Sequence, residues 1–354
     1  IVFHFDKPLD EPTDILQVPI IPSQTPSEKL AVTELVGTGP YHVLARDEPE
    51  TIELARFDGN SGEERLHLDK LSLKSLTIDE AIQHFQQGKL AALPQLDASF
   101  SAEVRDETGL TPMQQSSDVF HYIAFNPLQK LWDEPEVRRA VGQTLNKQLI
   151  VKNWLDDYGI KVDTPRGTQI EYASEPIPKQ VQRKLQKENL SLHYSSEWVD
   201  RDLLAEMLQT HWKGANIDVK PVEHESIHGL MRAIRSGEAD MFLMSDWVRT
   251  QPDKLLDWWE EENLQQWTHW PVKKVQSSLK RAVTSEGKER EQLMREWDAL
   301  FVAEAPMIPL VQPKVLYFVA DDLNGVETND FKRDRYDVAN WHVVGQNQLA
   351  QANR

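Results

Sequence analysis

Residues 217–259, IDVKPVEHESIHGLMRAIRSGEADMFLMSDWVRTQPDKLLDWW, decide the fold. Ile217 and Val219 open a strand that runs to Pro221 and Val222 and then breaks. Ile227, Leu230, Met231 and Ile234 follow at the i, i+3, i+4, i+7 spacing that gathers apolar side chains on one helix face. Gly237 closes that helix, because glycine takes the left-handed conformation without steric cost. Met241 to Met244 is then a short apolar run suited to a buried strand. The order is strand, helix, strand. The same helix is read as containing His224-Glu225-x-x-His228, a formal match to the zinc-peptidase pattern, so a scaffold and an enzyme compete for these residues.

The whole chain sets bounds on that competition. Its 354 residues suffice for two or three domains, and 40% hydrophobic with 27% charged residues is ordinary for a globular protein. A formal charge of -18 argues against electrostatic binding to nucleic acid or to an anionic membrane, since both would repel it. No apolar run reaches the length needed to span a bilayer. With no cysteine there is no disulfide framework, no thiolate nucleophile and no cysteine-ligated metal.

Upstream, residues 1–5 alternate like a strand cut from its sheet, and residues 23–35 are polar with a helical reading. Gly37-Thr38-Gly39-Pro40 is a tight turn rather than an anion cradle, because Pro40 offers no amide donor. It leads into a hairpin over 41–46 and 51–57. A strand at 66–73, a helix at 78–87 and Gly88 come next. Ile78, Ala81, Ile82, Phe85 and Gly88 echo Ile227, Leu230, Met231, Ile234 and Gly237, which predicts a second strand-helix-strand crossover of the same build. Residues 119–126 read as a strand, Val137 to Trp154 as one long helix, and 161–180 as loop. Helices are predicted at 179–187, 199–212, 272–283 and 286–304, with strands at 190–194, 217–222 and 308–319. Such alternation is the α/β signature, and two similar halves imply a cleft.

The motif His224-Glu225-x-x-His228 lacks a recognisable third zinc ligand, and its alternative is a pair of solvated first-turn histidines. No nucleophile elbow or phosphate loop is present. Trp247, Trp258, Trp259, Trp267 and Trp270 cluster after the 241–244 run, where crevice loops of open α/β sheets hold ligands. Core filling is their bland reading, with Trp247 set apart because it falls just past the strand.

Taken together, VGTGPYHV at 36–43, LDKLSL at 68–73, YIAFNPLQKLWDEPEVRRAVGQTLNKQLIV at 122–151, RSGEADMFLMSDW at 235–247 and APMIPL at 305–310 resemble the family 5 solute-binding proteins of peptide, dipeptide and nickel ABC transporters. The resemblance implies a two-lobed, type II periplasmic-binding-protein-like α/β fold with an interlobe cleft and hinge strands. Residues 1–118 would be the remainder of lobe I and a side domain, 119–308 the second lobe, and 309–354 the return to lobe I. It also implies that the family's long amino-terminal segment is missing, leaving the first lobe incomplete. Arg56-Phe57-Asp58-Gly59-Asn60 stands where the family usually has Asn-Pro-Asp-Tyr-Trp. Peptide binders carry Trp-x-x-Asp-Tyr-Pro-Asp, whose first aspartate holds the ligand's amino terminus; here Trp247-Val248-Arg249-Thr250-Gln251-Pro252-Asp253 puts Thr250 at that place, with Asp246 as a substitute.

The expectation is therefore a binding protein without catalysis, cofactor or metal, taking an oligopeptide or similar small solute. Tyr122, Phe125 and Trp247 would supply apolar and stacking surface, and Asn126, Asp246, Arg249 and Thr250 polar contacts. The partner would be a membrane ABC permease, the protein a monomer, and the location extracytoplasmic, either periplasmic or lipid-anchored at the cell surface. The rival is the ligand-sensing domain of a cytoplasmic SgrR-type transcriptional regulator, in which this segment would not itself touch nucleic acid. The zinc peptidase comes third.

Overall fold

In the computed structural model the described residues are 39–47, 51–57, 66–170, 176–198, 201–260, 270–328, 331–332 and 335–343. The predicted strand at 1–5, the helix at 23–35 and the first half of the turn at 37–40 lie outside them. Two compact units divide the chain, one of residues 1–94 with 318–354 and a larger one of residues 95–317.

In the smaller unit, β1 (Tyr41–Asp47), β2 (Thr51–Arg56) and β3 (Lys70–Lys74) form an antiparallel sheet in that order. Helix α1 (Ile78–Gln86) follows with a capping box. Thr77 Oγ1 accepts from the Glu80 amide, and the Glu80 carboxylate accepts from the Thr77 amide at 2.8 Å. The expected crossover fails here. β3 stays in the three-stranded sheet, whereas β4 (Ala92–Asp97) joins the large one, so α1 links two different sheets. The reason lies in KLSLK, whose alternation of polar Lys70, Ser72 and Lys74 with two leucines, and mostly exposed side chains, suit an edge strand rather than a buried parallel one. Only the local echo survives: Gly88 and Gly237 both follow their helices with positive φ, +65° and +77°.

The larger unit continues with α2 (Ser101–Thr108), β5 (Met113–Ser116), β6 (Val119–Phe125), α3 (Pro135–Gln143), α4 (Lys147–Trp154), β7 (Gly159–Lys161) and α5 (Lys179–Leu185). Then come β8 (Asn189–Ser195), α6 (Arg201–Gly214), β9 (Asp218–His224), α7 (Ile227–Ser236), β10 (Met241–Trp247) and α8 (Pro252–Glu260). Helices α9 (Lys273–Val283) and α10 (Gly287–Glu304) and strand β11 (Ile308–Val319) complete it. The sheet order is β4-β11-β6-β10-β8-β9. β8 runs parallel to both β9 and β10, and β6 runs antiparallel to β10 and β11. The predicted β9-α7-β10 crossover is present, and it steps over β8.

The long helix expected from Val137 to Trp154 is two. Thr144 ends α3, and the Asn146 side chain accepts from the Leu149 amide to start α4. On one face of the sheet, Phe120, Tyr122 and Ala124 of β6 and Phe242 of β10 pack against Leu230 and Ile234 of α7, Trp258 and Trp259 of α8, and Trp297 and Phe301 of α10. His121 projects to the other face, against Trp154 with ring centroids 5.1 Å apart.

Candidate functional site

β10 runs three residues beyond its apolar start, so Trp247 is the last strand residue rather than the first loop residue. Its side of the sheet is closed by specific bonds. The Val248 amide donates to Asp118 O at 2.7 Å and the Arg249 amide to Pro165 O at 3.0 Å. Asp246 sits at the centre of the side-chain arrangement. Its Oδ1 pairs with Arg249 Nη2 at 2.9 Å and accepts from the Trp247 amide, while Oδ2 accepts from Trp258 Nε1 at 2.8 Å. The Arg249 guanidinium also donates to Trp247 O at 2.7 Å and lies 4.8 Å above the Trp258 ring. Both side chains of the pair are largely buried, so the ion pair is a rigid bracket that fixes the backbone under Trp247. The Trp247 indole itself is 39% exposed, an uncommon position for so large an aromatic.

Among the expected ligand residues, the structure thus groups Asp246, Trp247 and Arg249, with Thr250 exposed beside them. Tyr122 is buried within electrostatic reach of Asp246 and Arg249, while Phe125 and Asn126 lie toward the other end of β6. Tyr122 stacks on Phe120 with centroids 5.3 Å apart, and its buried hydroxyl makes no hydrogen bond. Burial raises its pKa well above the usual tyrosine value, reinforced by the charge of Asp246. Phe125 packs on Trp132 at 4.8 Å. Asn126 is consumed by backbone, donating to Ile234 O and Ala239 O at 2.9 and 2.7 Å and accepting from the Leu128 amide at 3.0 Å. Of the tryptophan cluster, Trp258 and Trp259 are core residues, Trp270 lies beneath the Arg138 guanidinium at 5.1 Å, and Trp267 falls outside the described residues.

The zinc motif is not on one helix. His224 is the last residue of β9, Ser226 caps α7 by accepting from the Gly229 amide, and helix begins only at Ile227. His224 Nε2 instead lies 2.8 Å from His193 Nδ1 on the neighbouring strand. Burial, followed by the His224 charge, lowers the His193 pKa to about 4. Among the described residues no group of three or more His, Asp or Glu could hold a metal.

Sequence reasoning passed over a second polar group on the opposite face of β6, formed by His121, Ser245 and Arg201. Its one available signal was a cation in the first turn of a helix, where the helix dipole disfavours positive charge.

Comparison with known proteins accords with this architecture. The model for bacterial extracellular solute-binding proteins, family 5 Middle, matches residues 1–265. A dipeptide-binding protein of Pseudomonas aeruginosa is 25% identical over 335 residues, covering 86% of this chain and 61% of its own length. The chain thus spans about three fifths of the length of the curated relatives it matches. Among solved structures, the ABC transporter substrate binding protein CtaP of Listeria monocytogenes superposes with a TM-score of 0.72 at 15% identity, over 88% of this chain and 67% of that one. NikZ of Campylobacter jejuni, solved with Ni(L-His), gives 0.63 at 19% identity over 88% and 69%. These likenesses support the transport reading and lend none to the regulator. The mixed α/β fold is therefore the type II solute-binding fold, and the chain belongs to the bacterial extracellular solute-binding proteins, family 5.

Proposed function

We propose that the protein is the extracytoplasmic solute-binding component of an ABC transporter and takes an oligopeptide or similar small solute at the carboxy-terminal end of β10. The observation that carries this reading is the half-exposed Trp247, held in place by the Asp246, Arg249 and Trp258 bracket. A rigid aromatic face at a strand end offers stacking area at little entropic cost. The bracket also bears on ligand choice. Both oxygens of Asp246 are occupied and Thr250 is neutral, so Asp246 does not replace the family's ammonium-binding aspartate.

In this reading the protein carries out no catalysis and delivers its solute to a membrane permease as a monomer. Among the described residues no helix is long and apolar enough to cross a membrane. The expected division, with a second lobe over 119–308, belongs to the same proposal. Intrinsic tryptophan emission and thermal melting, titrated with oligopeptides, sugars and chelated metals, test it. A saturable response to one class is expected, with Trp247→Ala weakening affinity about tenfold. No response to any class refutes the reading.

A further inference from the structure

Residues 163–170, DTPRGTQI, carry two charged side chains, and both turn inward. Lys147 Nζ of α4 pairs with Asp163 Oδ1 at 2.6 Å, and Asp163 Oδ2 accepts from the Ile170 amide at 2.9 Å. Arg166 Nη1 pairs with Asp298 Oδ2 of α10 and donates to Met294 O at 3.4 Å. The turn between these anchors is closed by its own backbone. The Gly167 amide donates to Thr164 O at 3.1 Å and the Asp163 amide to Thr168 O at 2.8 Å. Gly167, with φ +73°, has no room for a side chain, since a Cβ there would stand 2.8 Å from Gln312 Oε1 and 3.2 Å from Val248 Cγ1. The loop is therefore wedged between α4, α10, β11 and the residue that follows β10.

As a stabiliser, the pair of Arg166 and Asp298 is poorly made. Asp298 is only 4% exposed, and burial raises its carboxyl pKa against the opposing charge of Arg166. Asp298 Oδ1 and Arg166 Nε are buried without hydrogen-bond partners. Removing two charges from water is offset only where the remaining polar atoms are satisfied, so apolar residues of similar volume would join α10 to the loop at least as firmly. What the ion pair adds is direction, because a charged, hydrogen-bonded contact fixes where the backbone beside it stands. That backbone matters. Pro165 O, next to Arg166, accepts from the Arg249 amide at 3.0 Å. Arg249 in turn pairs with Asp246 and donates to Trp247 O. Three links thus join α10 to the exposed indole: Asp298 to Arg166, Pro165 O to the Arg249 amide, and Arg249 to Trp247 O.

We propose that Arg166 and Asp298 are positioning residues for solute binding, setting the Pro165 carbonyl that holds Arg249 and, through it, the exposed face of Trp247. This rests on the solute-binding reading above and extends its determinants to α10.

The test uses the whole protein, with calorimetric titration of trialanine, glucose and nickel–histidine as probes and melting followed alongside. Arg166→Met combined with Asp298→Leu is expected to melt at or above the parent, because apolar bulk replaces a buried ion pair. The same variant is expected to bind the responding probe about fivefold more weakly. In a Trp247→Ala background the double change should alter affinity by less than about twofold, since the indole it positions is gone; a merely structural pair would not show that coupling. Arg166→Lys keeps the charge without the planar fork, is expected to bind with intermediate affinity, and carries the test if the apolar variant does not fold. Parent-like affinity in these variants, or equal losses with and without Trp247, overturns the positioning role and leaves solute binding standing. A parent that binds none of the three probes refutes both.

Discussion

Replacing Asn126 with alanine separates the role the sequence suggests for it, a ligand contact, from the one its surroundings describe. Its amide gives two hydrogens to Ile234 O and Ala239 O and accepts one from Leu128, at 2.7 to 3.0 Å, in a fully buried position. Truncation leaves Ala239 O and the Leu128 amide without this partner and removes one of two donors from Ile234 O, which keeps the Gly237 amide at 3.1 Å. At about 1 kcal/mol for each net hydrogen bond, with a further contribution from the small void, the loss comes to about 3–4 kcal/mol. Urea unfolding followed by far-ultraviolet circular dichroism measures it as a lower midpoint at unchanged slope. Asn126→Asp fares no better near neutral pH, because its carboxylate would face two carbonyl oxygens instead of donating to them. Solute affinity of the folded variant should stay within about twofold of the parent, as expected for a residue remote from the ligand. A loss below about 1 kcal/mol together with a large drop in affinity would refute this reasoning and return Asn126 to the binding site.

Other perturbations follow from the same geometry. Gly237 has φ +77°, and an added Cβ would meet nothing closer than Leu128 Cδ1 at 3.6 Å, so Gly237→Ala should cost only the backbone penalty of about 1 kcal/mol. Gly325→Ala has the same backbone handicap and would also set its Cβ 2.0 Å from Asn340 O; a cost above about 2 kcal/mol is expected, and equal denaturation midpoints for the two variants would contradict the distinction. The buried His193, lowered to about 4, binds fewer protons folded than unfolded between pH 4 and about 6.5, the ordinary histidine value. Its contribution to stability is therefore complete above pH 6.5, declines as pH falls toward 4, and changes no further below that. His121 is depressed in the same direction, so His193→Gln should reduce the acid-side slope of unfolding free energy without abolishing it; an unaltered slope would remove His193 as a cause.

Much of the larger unit was legible because its signals are local. Ile227, Leu230 and Ile234 with Gly237 located α7 and its C-terminal end, although reading His224 into that helix set its start three residues too early. Failures came where partners distant in sequence decide. Whether β3 and β4 share a sheet depends on distant pairings, of which the polar, mostly exposed KLSLK is a local sign that the echo of 227–237 obscured. The break at Thr144 to Asn146 was hidden because Val137, Val141, Ile150 and Val151 keep apolar residues flowing through it. At the site, Trp247 could be singled out by position, but Asp246 as its bracket depends on Trp258, nearly two turns into the next helix. Tyr122, Phe125 and Asn126 show the converse: side chains that look suited to ligand contact in the sequence are buried, with Asn126 bonded to backbone, which the sequence does not reveal.

The clip around Asn126 carries a consequence for biosynthesis. Asn126, Gln129 and Trp132 bond the carbonyls of Ile234, Gly237, Ala239 and Asp240, and β6 lies in register between β10 and β11. Phe120 to Phe125 are all buried in the finished molecule, yet the residues that bury them on the β10 side leave the ribosome 108 or more positions later. At about 5–20 residues per second that delay is roughly 5–20 s, during which an apolar, β-prone, uncharged hexapeptide lacks its β10 strand partner. Crowded expression should lose product to aggregates nucleated at VFHYIAF before any fault in the finished fold is felt.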